Sequence, residues 1–175
     1  MTDDELKLAL REHAYLEGDF LLRSGKRSRY YLDKYRFETR PDILAQLGDR
    51  IARAVHEPEA TRLAGAELGA VALAAAGSLS SGLPFLIVRK AAKEYGTSNR
   101  LEGVFVEGET VCLVEDVVTS GGALLEAVEA LRVAGLTVRT AVCVVDREEG
   151  GADALARQAV RLRPIFRASE IVQAV

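Results

Sequence analysis

Between Val111 and Gly122 the chain reads Val-Cys-Leu-Val-Glu-Asp-Val-Val-Thr-Ser-Gly-Gly, an apolar run that leads into two adjacent carboxylates. After Glu115 and Asp116 come Thr119, Ser120, Gly121 and Gly122, and then a helical pattern. Such a loop offers hydroxyls and backbone N–H groups, glycine lets a phosphate come close, and the helix adds the positive end of its dipole. Ligands of open α/β sheets bind at the carboxyl ends of strands, which is where this pattern puts the two acids. The implied chemistry is a phosphate cradle beside carboxylates that accept hydrogen bonds from ribose hydroxyls or help hold a hydrated magnesium ion. Neither Gly-x-x-x-x-Gly-Lys-Ser/Thr nor Gly-x-Gly-x-x-Gly occurs, which disfavours an ATPase or a dinucleotide fold.

Cationic residues concentrate in two places. Arg23–Arg36 holds six basic residues against one acid, and Arg89–Arg100 four against one, while the whole chain carries 23 basic and 26 acidic residues for a net charge of −3. Compact positive clusters on an acidic body suit a small polyanion, because Arg and Lys hold phosphate oxygens by charge-assisted hydrogen bonds. A nucleic-acid binder would be basic over a broad surface, so no nucleic-acid partner is expected. No apolar run reaches the ~20 residues of a membrane span, and the acidic opening Met1-Thr2-Asp3-Asp4-Glu5 is unlike a secretory leader. Two cysteines, Cys112 and Cys143, make neither a disulfide framework nor a zinc site, and their apolar surroundings predict buried, inert thiols. The expectation is a soluble cytoplasmic protein.

The elements that position these residues follow from periodicity. Asp4–Leu16 reads as an amphipathic helix, Phe20–Tyr35 as a hairpin turning at Ser24-Gly25-Lys26, and Pro41 opens a helix with Ile43, Leu47, Ile51 and Val55 on one stripe. Arg62–Gly65 is a short apolar piece and Gly69–Leu79 an alanine-rich helix. Phe85–Val88, Val111–Val114 and Ala141–Val145 are unbroken apolar runs, as strands are when helices cover both sheet faces. Ala123–Ala134 is a helix that Gly135 ends; the tail predicts a helix near Ala152–Gln158, a strand near Val160–Leu162 and a last helical turn at Ser169–Val172. Strand, helix and strand in this order predict a doubly wound α/β fold and one domain over 1–175.

Val114–Gly122 resembles the phosphoribosyl pyrophosphate (PRPP) signature of the type I phosphoribosyltransferase family, and the remainder is similar to its orotate-specific members. Phe20–Tyr31 resembles the hood motif that frames the base, Arg89–Gly96 the mobile catalytic loop, and Val145–Gly151 the segment whose arginine faces orotate. The resemblance implies a central, mostly parallel sheet flanked by helices, with a core of about 41–160 and a small hood from about 1–40 plus the C-terminal segment. It implies Mg2+-dependent transfer of ribose 5-phosphate from PRPP to orotate, giving orotidine 5′-monophosphate and pyrophosphate in pyrimidine (UMP) biosynthesis. Glu115 and Asp116 would meet the ribose hydroxyls, while Thr119, Ser120, Gly121 and Gly122, with the backbone of Val117 and Val118, would wrap the 5′-phosphate. Arg89, Lys90 and Lys93 would meet the pyrophosphate, with Gly65–Gly69 as its first loop; Lys93, Arg89 and Asp116 would be catalytic. Arg23, Tyr31, Thr119 and Arg147 would bind orotate. Mg2+ would be held mainly through PRPP and water, with no direct side-chain ligand. A homodimer would share the 89–100 loop across its interface. Tyr95 stands where relatives commonly carry histidine, and Arg23 where many carry lysine. A phosphoribosyltransferase for a different nucleobase and a non-catalytic PRPP-binding regulator are the alternative readings.

Overall fold

A computed structural model describes residues 1–21, 25, 27–55, 60–91 and 100–174. Helix α1 (Asp3–Ala14) starts at a capping box, in which the Thr2 hydroxyl accepts from Glu5 N–H and the Glu5 carboxylate accepts from Thr2 N–H. Its Leu6, Leu10 and Ala14 are buried on one stripe. The helix stops two residues before the predicted Leu16, because Tyr15 already lies in β1 (Tyr15–Leu21), which pairs antiparallel with β2 (Arg27–Leu32). A four-residue helix, α2 (Tyr35–Glu38), and α3 (Pro41–Val55) follow. The tight spacing of aromatic and charged residues in α2 gave no periodicity to read.

The main sheet has six strands in the order β5-β4-β3-β6-β7-β8. These are β3 (Arg62–Ala66), β4 (Phe85–Val88), β5 (Leu101–Glu102), β6 (Thr110–Val118), β7 (Thr137–Asp146) and β8 (Arg161–Arg167). Every pairing is parallel except that of β4 with β5, at one edge. Helices α4 (Gly69–Ser81), α5 (Gly122–Val133) and α6 (Gly151–Ala156) connect the parallel strands, and α7 (Ala168–Val172) closes the chain. From β3 the chain steps outward to β4, then returns to place β6 on the other side of β3. That reversal is a topological switch point, where open parallel sheets leave a crevice.

Alternate strand residues feed opposite cores. Cys112, Val114, Val142 and Val144 pack with Leu6, Ile43, Leu47, Ile51 and Leu73 on one face. Leu113, Ala141 and Cys143 pack with Leu124, Val128, Leu131 and Leu155 on the other. Both faces of β6 and β7 are therefore dry, which explains why their sequences read as continuous apolar runs. Both cysteines are free and buried, and burial pushes the Cys112 thiol up to about 12. Strand β8 runs on beyond the predicted Val160–Leu162, and Pro164 is accommodated within it because β8 is an edge strand. Among the described residues no helix is long and apolar enough to cross a membrane.

Candidate active site

Strand β6 does not end at the two carboxylates, Glu115 and Asp116. It continues to Val118, pairing Glu115 with Cys143 and Val118 with Asp146. Polar side chains are tolerated there because that end of the sheet opens into the crevice. Glu115 and Asp116 are both buried, and their carboxylates accept from the next residues' backbone: Glu115 Oε1 from Asp116 N–H at 3.0 Å, and Asp116 Oδ1 from Val117 N–H. The second Asp116 oxygen, Oδ2, takes a 2.6 Å bond from Lys34 Nζ. The place of Lys34 beside Asp116 comes from the fold, which brings together residues 82 positions apart.

Gly69, the first residue of α4, makes this pair possible. A Cβ there would lie 1.9 Å from Asp116 Oδ2 and 2.9 Å from Lys34 Nζ. Gly69→Ala is expected to displace the Asp116 carboxylate, costing about 1–3 kcal/mol of stability and at least roughly tenfold in kcat/KM. Thermal melts and steady-state kinetics check it, and an unchanged kcat/KM would show that the Asp116 geometry is immaterial.

A further acid stands behind the pair. Glu38 is 4% exposed, and its Oε1 is buried with no hydrogen-bond partner among the described residues. Burial first, then the negative charge of Asp116, pushes the Glu38 carboxyl up to about 8. Burial and Asp116 act on Glu115 in the same way, also to about 8. Burial works against the Lys34 cation, but the hydrogen bond and charge of Asp116 outweigh it and raise its pKa. A carboxyl whose folded pKa exceeds its unfolded value stabilises the fold fully below the unfolded pKa and loses that contribution as pH rises through the folded one. Between about pH 5 and about pH 8.5 the ligand-free protein should therefore lose stability, and Glu38→Gln should remove a share on the order of 3 kcal/mol. Melting curves across that range test this: the wild-type midpoint should fall and that of Glu38→Gln should fall less. Parallel curves would show that Glu38 is already ionised.

The loop after β6 leads directly into α5. Gly121 adopts φ +85° and precedes α5, whose start has no side-chain cap and no acid in its first turn. The first N–H groups of that twelve-residue helix are left for a ligand. The Val118 carbonyl accepts from Arg147 N–H at 2.8 Å, and a Cβ on Gly151 would meet Val118 Cγ1 at 2.4 Å. The segment carrying Arg147 is thus seated directly on the end of β6.

On the other side of the crevice, Glu67 follows β3 and receives the Lys90 N–H at 2.7 Å. Arg89 lies 3.8 Å from both Glu67 and Glu102, and its Nη1 is buried without a hydrogen-bond partner among the described residues. Arg89 N–H donates to the Arg100 carbonyl at 2.7 Å. Tyr31, Arg89, Lys90, Glu115–Gly122 and Arg147 all line one cleft of about 720 Å³. Arg23, Lys93 and Tyr95 lie outside the described residues. Sequence alone places Lys34 and Arg100 in the two basic clusters and gives Glu38 no role. No sequence signal singles out Lys34 or Glu38: the first immediately precedes the four-residue α2 and the second ends it.

Residues 44–164 match the phosphoribosyl transferase domain family. A protein from Methanocella arvoryzae named orotate phosphoribosyltransferase is 49% identical over 97% of this chain and 97% of its own, and one of the same name from Halobacterium salinarum is 46% identical over 99% and 98%. The solved orotate phosphoribosyltransferase of Mycobacterium tuberculosis in complex with PRPP superposes with a TM-score of 0.82 at 28% identity, covering 97% of this chain and 98% of that one. The chain belongs to the phosphoribosyltransferases and, within them, to the orotate phosphoribosyltransferases.

Proposed function

We propose that the chain transfers ribose 5-phosphate from PRPP to a ring nitrogen of orotate, releasing pyrophosphate and giving orotidine 5′-monophosphate for pyrimidine nucleotide synthesis. One observation carries the reading: a single cleft joins paired carboxylates, an uncapped helix start, two cations after β4 and a buried arginine. In that cleft the Thr119–Gly122 backbone binds the 5′-phosphate, and Asp116 and Glu115 meet the ribose hydroxyls. Arg89 and Lys90, joined by Lys93, receive the diphosphate. Tyr31 and Arg147, with Thr119 and Arg23, frame the base. The two-stranded β1–β2 sheet serves as the hood.

The reaction breaks the anomeric C–O bond and forms a C–N bond, the diphosphate leaving with the electron pair. The sugar gains positive character on the way. Residues that stabilise developing charge are therefore sufficient, and no covalent nucleophile is needed. Asp116 supports the sugar, while Arg89 and Lys93 offset charge on the leaving group.

Among the described residues no cluster of three or more His, Cys, Asp or Glu is arranged to hold a metal ion. Asp116 has both oxygens engaged, by Val117 N–H and by Lys34. That donor set fits Mg2+ carried in mainly by the diphosphate and water, as is usual for this ion with phosphate substrates. Bound there, the ion would neutralise charge on the leaving diphosphate. We assign the enzyme to the cytoplasm as a homodimer sharing the 89–100 segment. Val104 and Val106, 82% and 67% exposed just beyond edge strand β5, supply apolar surface for such an interface.

Initial rates with PRPP, Mg2+ and a panel of bases test the proposal. Loss of orotate absorbance, with little turnover of uracil or purines, is the expected result. Turnover of another base without orotate would overturn it, and PRPP binding without any turnover would indicate a regulator.

A further inference from the structure

Arg147 follows directly on β7 and lines the cleft, although its side chain is only 7% exposed. Three neighbours hold it. Its Nε donates to Glu149 Oε1 at 2.9 Å, its Nη2 makes a long 3.5 Å contact with Ser28 Oγ, and its Cζ lies 4.8 Å from the centroid of the Tyr30 ring. Tyr30 is backed in turn by Tyr15, with ring centroids 5.4 Å apart and planes at 21°. The Tyr15–Tyr30 stack thus serves the arginine more directly than it serves a base. These contacts use Nε, Nη2 and one face; Nη1 and the opposite face have no partner among the described residues.

Glu149 is placed by its loop rather than by chance of the surface. On one side of it, Glu148 N–H donates to Asp146 Oδ1 at 2.9 Å, and Glu148 Oε2 accepts from Ser169 N–H at 3.1 Å. On the other side, Gly150 turns with φ +91° into α6, and Gly151 packs against Val118 with no room for a Cβ. The Glu149 side chain, 24% exposed, therefore has a fixed root from which to reach Arg147.

A carboxylate in this place has two opposed effects. It holds the guanidinium in one orientation, so that less freedom is lost when a planar anion binds. It also offsets part of the positive charge that the anion would meet. The geometry favours the first effect. Contact at Nε, next to the aliphatic stem, leaves the terminal end of the guanidinium for a ligand, and the Tyr30 ring lies against the group.

We propose that Glu149 is a positioning residue for the base: by engaging Arg147 Nε it presents the outer end of the guanidinium to the cleft and so sets affinity for a nucleobase bearing a carboxylate. The proposal rests on the reading of the base pocket given above. Glu149→Ala should raise KM for orotate about tenfold while KM for PRPP and kcat stay within about twofold, the size of one charge-assisted hydrogen bond. Glu149→Gln keeps an oxygen acceptor for Nε–H and should recover most of the loss. In an Arg147→Ala background, Glu149→Ala should add nothing. An orotate KM that is unchanged or lower in Glu149→Ala, an equal rise in the Ala and Gln variants, or additive effects with Arg147→Ala would each overturn it. Failure of the pocket reading is seen separately and earlier, in a wild-type protein that turns over another base but not orotate; that result removes this proposal with it.

Discussion

Asp116→Asn is expected to lower kcat/KM for PRPP at least about a hundredfold, in line with the loss of one preorganised charge at a reacting centre. The carboxylate has both oxygens committed in the ligand-free protein, Oδ1 to Val117 N–H and Oδ2 to Lys34 Nζ at 2.6 Å. An amide can present only one oxygen acceptor, so one of these donors faces an NH2 group instead. Lys34, partly buried and beside Glu115, loses its closest counter-charge. Removing one member of a buried ion pair costs about 3–5 kcal/mol; with Lys34 partly in solvent, the loss should be nearer to about 2 kcal/mol. Melting curves therefore belong beside the kinetics: a modest drop in midpoint with a large drop in kcat/KM is the expected pattern. A variant with wild-type kcat/KM would remove Asp116 from the chemistry.

The second large effect is on the base. Arg147→Ala should raise KM for orotate roughly 10- to 100-fold, the range for losing a hydrogen-bonded charge, with KM for PRPP nearly unchanged. It should also narrow the discrimination between orotate and uracil, because an uncharged base forfeits no ion pair. The fold is not at risk from lost packing alone, since Tyr30 retains its stack on Tyr15. Steady-state kinetics with both bases decides the matter. Equal losses for orotate and uracil would show that Arg147 supports the cleft without reading the carboxylate.

Much of the architecture was legible because β4, β6 and β7 are covered on both faces, and unbroken runs such as Ala141–Val145 announce that directly. The start of α5 was legible because Thr119–Gly122 combines hydroxyls and glycines just before a helical pattern. Contacts between distant segments were not legible. Lys34 and Glu38 sit on a single turn of helix, and only the crossing of that turn over the end of β6 gives them meaning. Gly69 shows its function only once Asp116 is placed against it. The extension of β6 through two carboxylates ran against strand propensity, which disfavours Asp and Glu. Tertiary context overrode it because that end of the sheet borders the cleft. Strand β5, two residues long, is below what any periodicity can report.

A crystal structure of the protein with PRPP and orotate tests the account most directly. It should show the 5′-phosphate on the Thr119–Gly122 backbone, the ribose hydroxyls at Glu115 and Asp116, the diphosphate toward Arg89 and Lys90, and the orotate carboxylate on Arg147. A donor whose phosphate lies away from the start of α5, or whose ribose turns its hydroxyls from the two carboxylates, would contradict it.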